Sequence, residues 1–272
     1  MARVLILFDN VSNDYVSRIA DSAADVIRAA GHELIASNSA EALEKLGDLI
    51  DLHSPIGVIL TPPVSDNRMV VKQIEERRIP LVRIASMLDL ERGSSVNMDE
   101  LSASMAITRE LLKAGHRRIG FIRGPKEYLV SIRRYNGYAG ALGGAGVPLD
   151  PNLVVLGDFS RQSGREAAAQ LFRQKPTSIF ASNDDMALGV IEAAQSQGIS
   201  IPDDLSLVGF DDNREARMAQ PALTTVRQPL DRMGKQAAEM VLEQSLQSIP
   251  THVVEEVSFD IITRDSVKML EE

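Results

Sequence analysis

The chain contains no cysteine and no tryptophan among its 272 residues. Without cysteine there are no disulfides and no thiolate metal sites. Histidine is nearly absent too. His32, His53, His116 and His252 are scattered without ligand-like spacing, which argues against a structural metal. No apolar run approaches a membrane span, and no charged-then-apolar leader precedes the first strand, so the protein is expected in the cytoplasm. Positive charge is also short. The formal net charge is −9 and the pI about 5.1. Holding DNA by phosphate neutralisation needs clustered Lys and Arg, so this chain is not expected to hold DNA by itself. The densest basic run, His116-Arg117-Arg118, reads as solvated surface at the end of a helix. Phosphate loops are missing as well. GFIRGP lacks the Lys-Ser/Thr ending and GALGGAGVP follows a helix, so no cofactor is expected.

What is present is alternation. Short apolar runs at 4–8, 33–37, 57–61, 79–84, 95–98, 118–122, 153–156, 178–182 and 205–210 read as strands. Between them, 13–30, 40–52, 66–77, 100–114, 131–145, 163–173 and 184–197 show helical periodicity. A helix at 230–247 and strands within 253–263 close the chain. Such alternation implies right-handed crossovers and mostly parallel sheets covered on both faces. More than ten strands overfill one sheet, so the expected fold is α/β, with two doubly wound parallel-sheet lobes and a ligand cleft between them. The expected lobes are 1–98 plus 230–257, and 99–229 plus 258–267.

The candidate chemistry lies at strand tips. Asn183, after SIFAS, can donate and accept toward a polyol or a purine edge, while Asp184 or Asp185 is expected to cap the following helix. Asp211 and Asp212 end LSLVGF and offer carboxylates to ligand hydroxyls. Arg133 and Arg134 start a helix, where positive charge opposes the dipole, and one of them is expected to carry a ligand role. Tyr15, after the polar loop 9–13, and Phe159, after another strand, are aromatic candidates for a sugar face. Asp99 is a lone carboxylate at an expected crossover between lobes. No nucleophile–base pair stands out, so an enzyme is not expected.

Several strings, in order, resemble the LacI/GalR family of bacterial transcription regulators. They are GHRRIGFIRGP, RRYNGYAGAL, SNDDMALGVIEAAQSQGISIPDDLSLVGFDD, PALTTVRQPLDRMGKQAAEMVL and IITRDSV. The first lobe matches more loosely, with NDY where the family commonly shows an Asn-Pro-aromatic run. The resemblance implies a periplasmic-binding-protein-like effector core that binds a small molecule, most commonly a sugar. It makes Arg134, Asn183 and Asp211 the polar ligand contacts. It adds Asp99 as an acid at the first crossover, Tyr15 as an aromatic lining the cleft, Phe159 as an apolar wall position, Tyr128 in a variable ligand loop and Gln228 at the second crossover. It also implies a homodimer, and operator DNA held only through a helix-turn-helix head that is expected to be absent from this chain. The alternative of the same fold is a secreted sugar-binding protein of a transporter.

Overall fold

Strand β1 (Arg3–Phe8) buries both of its faces. Val4 and Ile6 join one apolar cluster, and Leu5 and Leu7 join another. This is the period-two consequence of a parallel strand covered by helices on both sides. The computed structural model describes residues 1–8, 13–247 and 251–270. The polar run Asp9 to Ser12 therefore lies outside the described residues.

The chain divides into two units, 1–98 with 229–258 and 99–228 with 259–272. In the first unit β1 is followed by α1 (Asn13–Ala29), β2 (Glu33–Asn38), α2 (Ser39–His53), β3 (Gly57–Leu60), α3 (Arg68–Glu76), β4 (Leu81–Ile84) and β5 (Ser94–Asn97). The unit is completed by α9 (Leu230–Ser245) and β11 (Val254–Glu256). Its six strands lie in the order β11-β5-β4-β3-β1-β2, every pair parallel. Gly31 sits at φ +80 just beyond α1, a backbone shape that suits a residue without Cβ.

The second unit holds α4 (Glu100–Lys113), β6 (Ile119–Arg123), α5 (Leu129–Gly144), β7 (Val154–Leu156), α6 (Arg161–Arg173), β8 (Ser178–Ala181), α7 (Asp184–Ser196), β9 (Ser206–Asp211), α8 (Arg214–Met218), β10 (Thr224–Arg227) and β12 (Asp260–Ile262). Its sheet runs β12-β10-β9-β8-β6-β7, parallel except for the β12–β10 pair. Two six-stranded, mostly parallel sheets with helical cover agree with the α/β expectation. The strand β10 and the short helix α8 were not anticipated. TTVR is four residues flanked by prolines at 221 and 229, which masks its strand character.

Arg117 and Arg118 are exposed, as expected of solvated surface, but His116 departs from that expectation. His116 is buried, with Nδ1 3.0 Å from Thr177 Oγ1 and Nε2 3.2 Å from the Lys268 carbonyl. Burial pushes its imidazole pKa down. Arg117 does serve the helix end, donating to the Leu112 carbonyl of α4 at 2.8 Å. Among the described residues, no helix is long and apolar enough to cross a membrane.

Candidate functional site

In the second unit the chain order reverses between β6 and β8, which lie side by side although β7 separates them in sequence. Crevices form at the carboxyl ends of strands around such a switch point. Five of the candidate residues lie at those ends. Tyr128 precedes α5 in the loop after β6, Phe159 follows β7, Asn183 follows β8, Asp211 closes β9 and Gln228 follows β10. Arg134 reaches the same place from the second turn of α5.

Three of these side chains meet directly. Arg134, 5% exposed, places Nη1 3.9 Å from Asp211 Oδ1, and Gln228 Nε2 donates to that oxygen at 2.6 Å. The guanidinium is fixed from several sides. Nε donates to Glu100 Oε2 at 2.8 Å, Nη2 to Glu100 Oε1 at 3.4 Å and Nη1 to the Ser182 carbonyl at 2.7 Å. Its carbon lies 3.8 Å from the centroid of the Phe210 ring, a cation–π contact. Glu100 is buried at the start of α4, directly after Asp99. Sequence reasoning missed it, because an acidic residue in a first helical turn has an ordinary reason to be there.

The carboxylates outnumber the cation. Glu100, Asp184 and Asp211 are all buried, and Arg134 is already paired with Glu100. Burial pushes the Asp211 carboxyl well above the usual carboxylate range, against the pull of Arg134. Burial likewise pushes Asp184 up to about 7, although Thr225 Oγ1 donates to it at 2.7 Å and the Asn213 amide at 2.9 Å. Asp211 keeps one oxygen without a hydrogen bond among the described residues. Its φ of 125° is a strained value for a residue with a Cβ, of a kind that collects at functional sites.

Asn183 corrects the sequence expectation. It is itself the cap of α7, its Oδ1 accepting from the Met186 amide at 3.0 Å, while Nδ2 donates to the Phe159 carbonyl at 2.9 Å. Neither Asp184 nor Asp185 caps the helix. Asp184 instead turns inward to tie α7 to β10 and to the start of α8. By holding Phe159, which has φ +72, Asn183 positions the aromatic rim. The Phe159 and Tyr128 rings lie 6.1 Å apart with a 31° tilt.

Asp212 also differs from its neighbour. It is fully buried and receives Arg227 Nε at 2.6 Å and Arg264 Nη2 at 2.5 Å, with Arg217 Nη2 3.2 Å away. Asp99 is exposed and caps α4, accepting from the Ser102 amide at 3.0 Å. Burial opposes its charge, but hydrogen bonds from Ser102 prevail and lower its pKa. Arg133 is exposed, so Arg134 is the arginine of the pair that reaches the site. Tyr15 lies in the first unit. It is not an exposed ring at a strand tip but a buried member of the cluster around Val4, Ile6 and Ile19. Its place in α1, two residues past the start, turns the ring into the core.

Residues 108–267, more than half of the chain, match the family profile of the periplasmic binding protein-like domain. Over 245 residues the chain is 30% identical to the catabolite control protein A of Priestia megaterium, covering 87% of this chain and 73% of that protein. It spans about half, 51%, of the length of other curated relatives. Among solved structures, a complex of the transcriptional regulator CelR with cellobiose superposes with a TM-score of 0.89 at 25% identity, covering 97% of this chain and 84% of that one. A LacI family transcriptional regulator from Enterococcus faecium with bound ribose has the same fold. Its TM-score is 0.89 at 22% identity, covering 99% of this chain and all of that one.

Proposed function

From the premise that this chain belongs to the LacI family of transcriptional regulators and carries its periplasmic-binding-protein-like effector core, we propose that it binds a small polyhydroxylated molecule, a sugar, at the strand ends of its second unit. The observation that carries this reading is the meeting of Arg134, Asp211 and Gln228, with one Asp211 oxygen open to a donor. A carboxylate accepting ligand hydroxyls beside a fixed guanidinium is the pairing that polyols use well. The Tyr128 and Phe159 rings supply an apolar face for a sugar ring's C–H groups. Cellobiose and ribose in the two solved relatives support the choice of sugar over nucleobase.

The sugar acts as an effector. A ligand shifts a regulator only by binding one of its states more tightly than another. Those states differ in how a homodimer presents its DNA-reading domains. Repression or its relief follows from which state the sugar prefers. The net charge of −9 argues against operator DNA being held by phosphate neutralisation on this chain alone.

Calorimetric titration with ribose, glucose and cellobiose tests the site. Binding of at least one sugar is expected, with Asp211→Ala weakening it at least tenfold. Undiminished binding in that variant would remove Asp211 from the site. Sedimentation of the purified chain tests the dimer.

A further inference from the structure

Asp212 stands one residue beyond Asp211, and its surroundings are of the opposite sign. Three guanidiniums converge on its one carboxylate, from Arg217 on α8, Arg227 at the end of β10 and Arg264 after β12. Three cations on one anion leave an excess of two positive charges. Arg227 Nε at 2.6 Å and Arg217 Nη2 at 3.2 Å share the same oxygen, Oδ2, so these two like charges are held side by side. Packing cations together costs energy unless something negative joins them.

The arginines are also under-used as donors. Arg227 spends only Nε within the protein, leaving both terminal nitrogens without a hydrogen bond among the described residues. Among the described residues Arg217 spends only Nη2, on the Asp212 carbonyl and carboxylate. Their side chains are 46% exposed for Arg217 and 41% for Arg227, so both are open to solvent. Arg264, 16% exposed, is committed to the Leu223 carbonyl and to Asp212. Two of the nearby acids do not offset this charge. Glu215, on the same helix as Arg217, is paired with Arg161. Asp260 lies opposite Arg227 in the β10–β12 register but forms no ion pair with it among the described residues.

We propose that Arg217 and Arg227 form a binding site for the phosphate group of a small phosphorylated metabolite, beside the sugar site and separate from it. Two guanidiniums fixed by a buried carboxylate present a planar, pre-set array of N–H donors, the geometry that suits a phosphate monoester. Asp212 acts as the positioning residue, holding both arginines before the anion arrives. The proposal stands on this cluster alone and does not rest on sugar binding at Asp211.

The experiment is a calorimetric titration of the chain with inorganic phosphate and with glucose 6-phosphate. Glucose and chloride at matched ionic strength serve as references. Saturable binding of glucose 6-phosphate is expected, and it should persist in Asp211→Ala. The Arg217→Gln/Arg227→Gln pair should weaken it at least tenfold. Arg227→Lys, which keeps charge but loses the planar fork, should weaken it severalfold. Circular dichroism reports whether the double variant folds. If it does not, Arg217→Gln alone, on an exposed side chain, must still lower the affinity at least threefold. Wild-type heats no different from chloride would overturn the site, as would binding unchanged by the arginine substitutions. Glucose 6-phosphate binding that vanishes in Asp211→Ala yet survives in the arginine variants would overturn it too, because the molecule would then sit at the sugar site.

Discussion

Arg134 and Glu100 form a buried ion pair, Nε to Oε2 at 2.8 Å, that joins the second turn of α5 to the first residue of α4. The pair determines what Arg134 can offer. With one face on Phe210 and two nitrogens on Glu100, the guanidinium is oriented before any ligand arrives. Removing one member of a buried pair leaves an uncompensated charge. Glu100→Ala is therefore expected to lower stability by roughly 3–5 kcal/mol, read by urea denaturation. Glu100→Gln keeps the shape and should cost less. In that variant Arg134 is drawn toward Asp211, 3.9 Å away, so sugar affinity falls even where the fold survives. An unchanged affinity in Glu100→Gln would refute the idea that Glu100 sets the arginine.

Asn183 separates two roles that its position alone confounds. Its amide caps α7 and holds the Phe159 carbonyl. Asn183→Ser keeps a cap acceptor but loses the reach to Phe159, whereas Asn183→Ala loses both. Asn183→Ala should cost about 1–2 kcal/mol of stability by thermal or chemical denaturation. Asn183→Ser should retain most of that stability while weakening sugar binding through a loosened Phe159. Equal binding in Asn183→Ser and wild type would confine the residue to a capping role.

How far the sequence reveals this site depends on what each residue touches. Strand and helix alternation is a short-range pattern written in apolar spacing, so nearly every element was legible to within a few residues. Arg134, Asp211 and Gln228 were legible because they belong to strings with a family resemblance, and the structure brings them together. The division of labour between Asn183 and Asp184 was not. Both residue types cap helices and both bind ligands, and only the backbone at Asn183 (φ −151, ψ 167) decides which one caps. Glu100 was invisible because its partner lies 34 residues away. Tyr15 was misjudged because an aromatic beside polar residues reads as exposed until the helix is placed. Its side then faces the core.

Two glycines in the second unit have opposite tolerances. A Cβ on Gly164, in α6, would overlap the Met186 backbone of α7, where the two helices approach closely. Gly143, near the end of α5, has nothing within 4 Å of the same atom and needs no left-handed backbone. Gly164→Ala is expected to cost about 3 kcal/mol, because the backbone must move to make room. Gly143→Ala should stabilise by roughly 0.5–1 kcal/mol, since alanine favours the helix and narrows the unfolded ensemble. Denaturant midpoints compare the two. A tolerated Gly164→Ala would mean that α6 and α7 pack less tightly than described.

The buried Asp184 makes stability depend on pH in a direction unusual for a carboxylate. Burial raises its pKa from an ordinary value of 3.8 to about 7, so the folded chain holds a proton that the unfolded chain releases. Its contribution is fully present below about pH 4 and is lost as pH rises toward about 7, at up to about 1.4 kcal/mol per pH unit. Asp212 works in the opposite sense. Burial opposes its charge, but Arg227 and Arg264 prevail and hold its pKa down, so its contribution is present above pH 4 and is lost in stronger acid. The two together predict a stability maximum on the mildly acidic side of neutrality. Asp184→Asn imitates the protonated carboxyl, because its amide can donate to Thr225 Oγ1 where Asp184 now accepts. Denaturation of wild type and Asp184→Asn from pH 4.5 to 8 should show a decline in the former and a flatter profile in the latter. Parallel profiles would place the titrating group elsewhere, with the buried Asp211, whose pKa is also raised, as the group to substitute next.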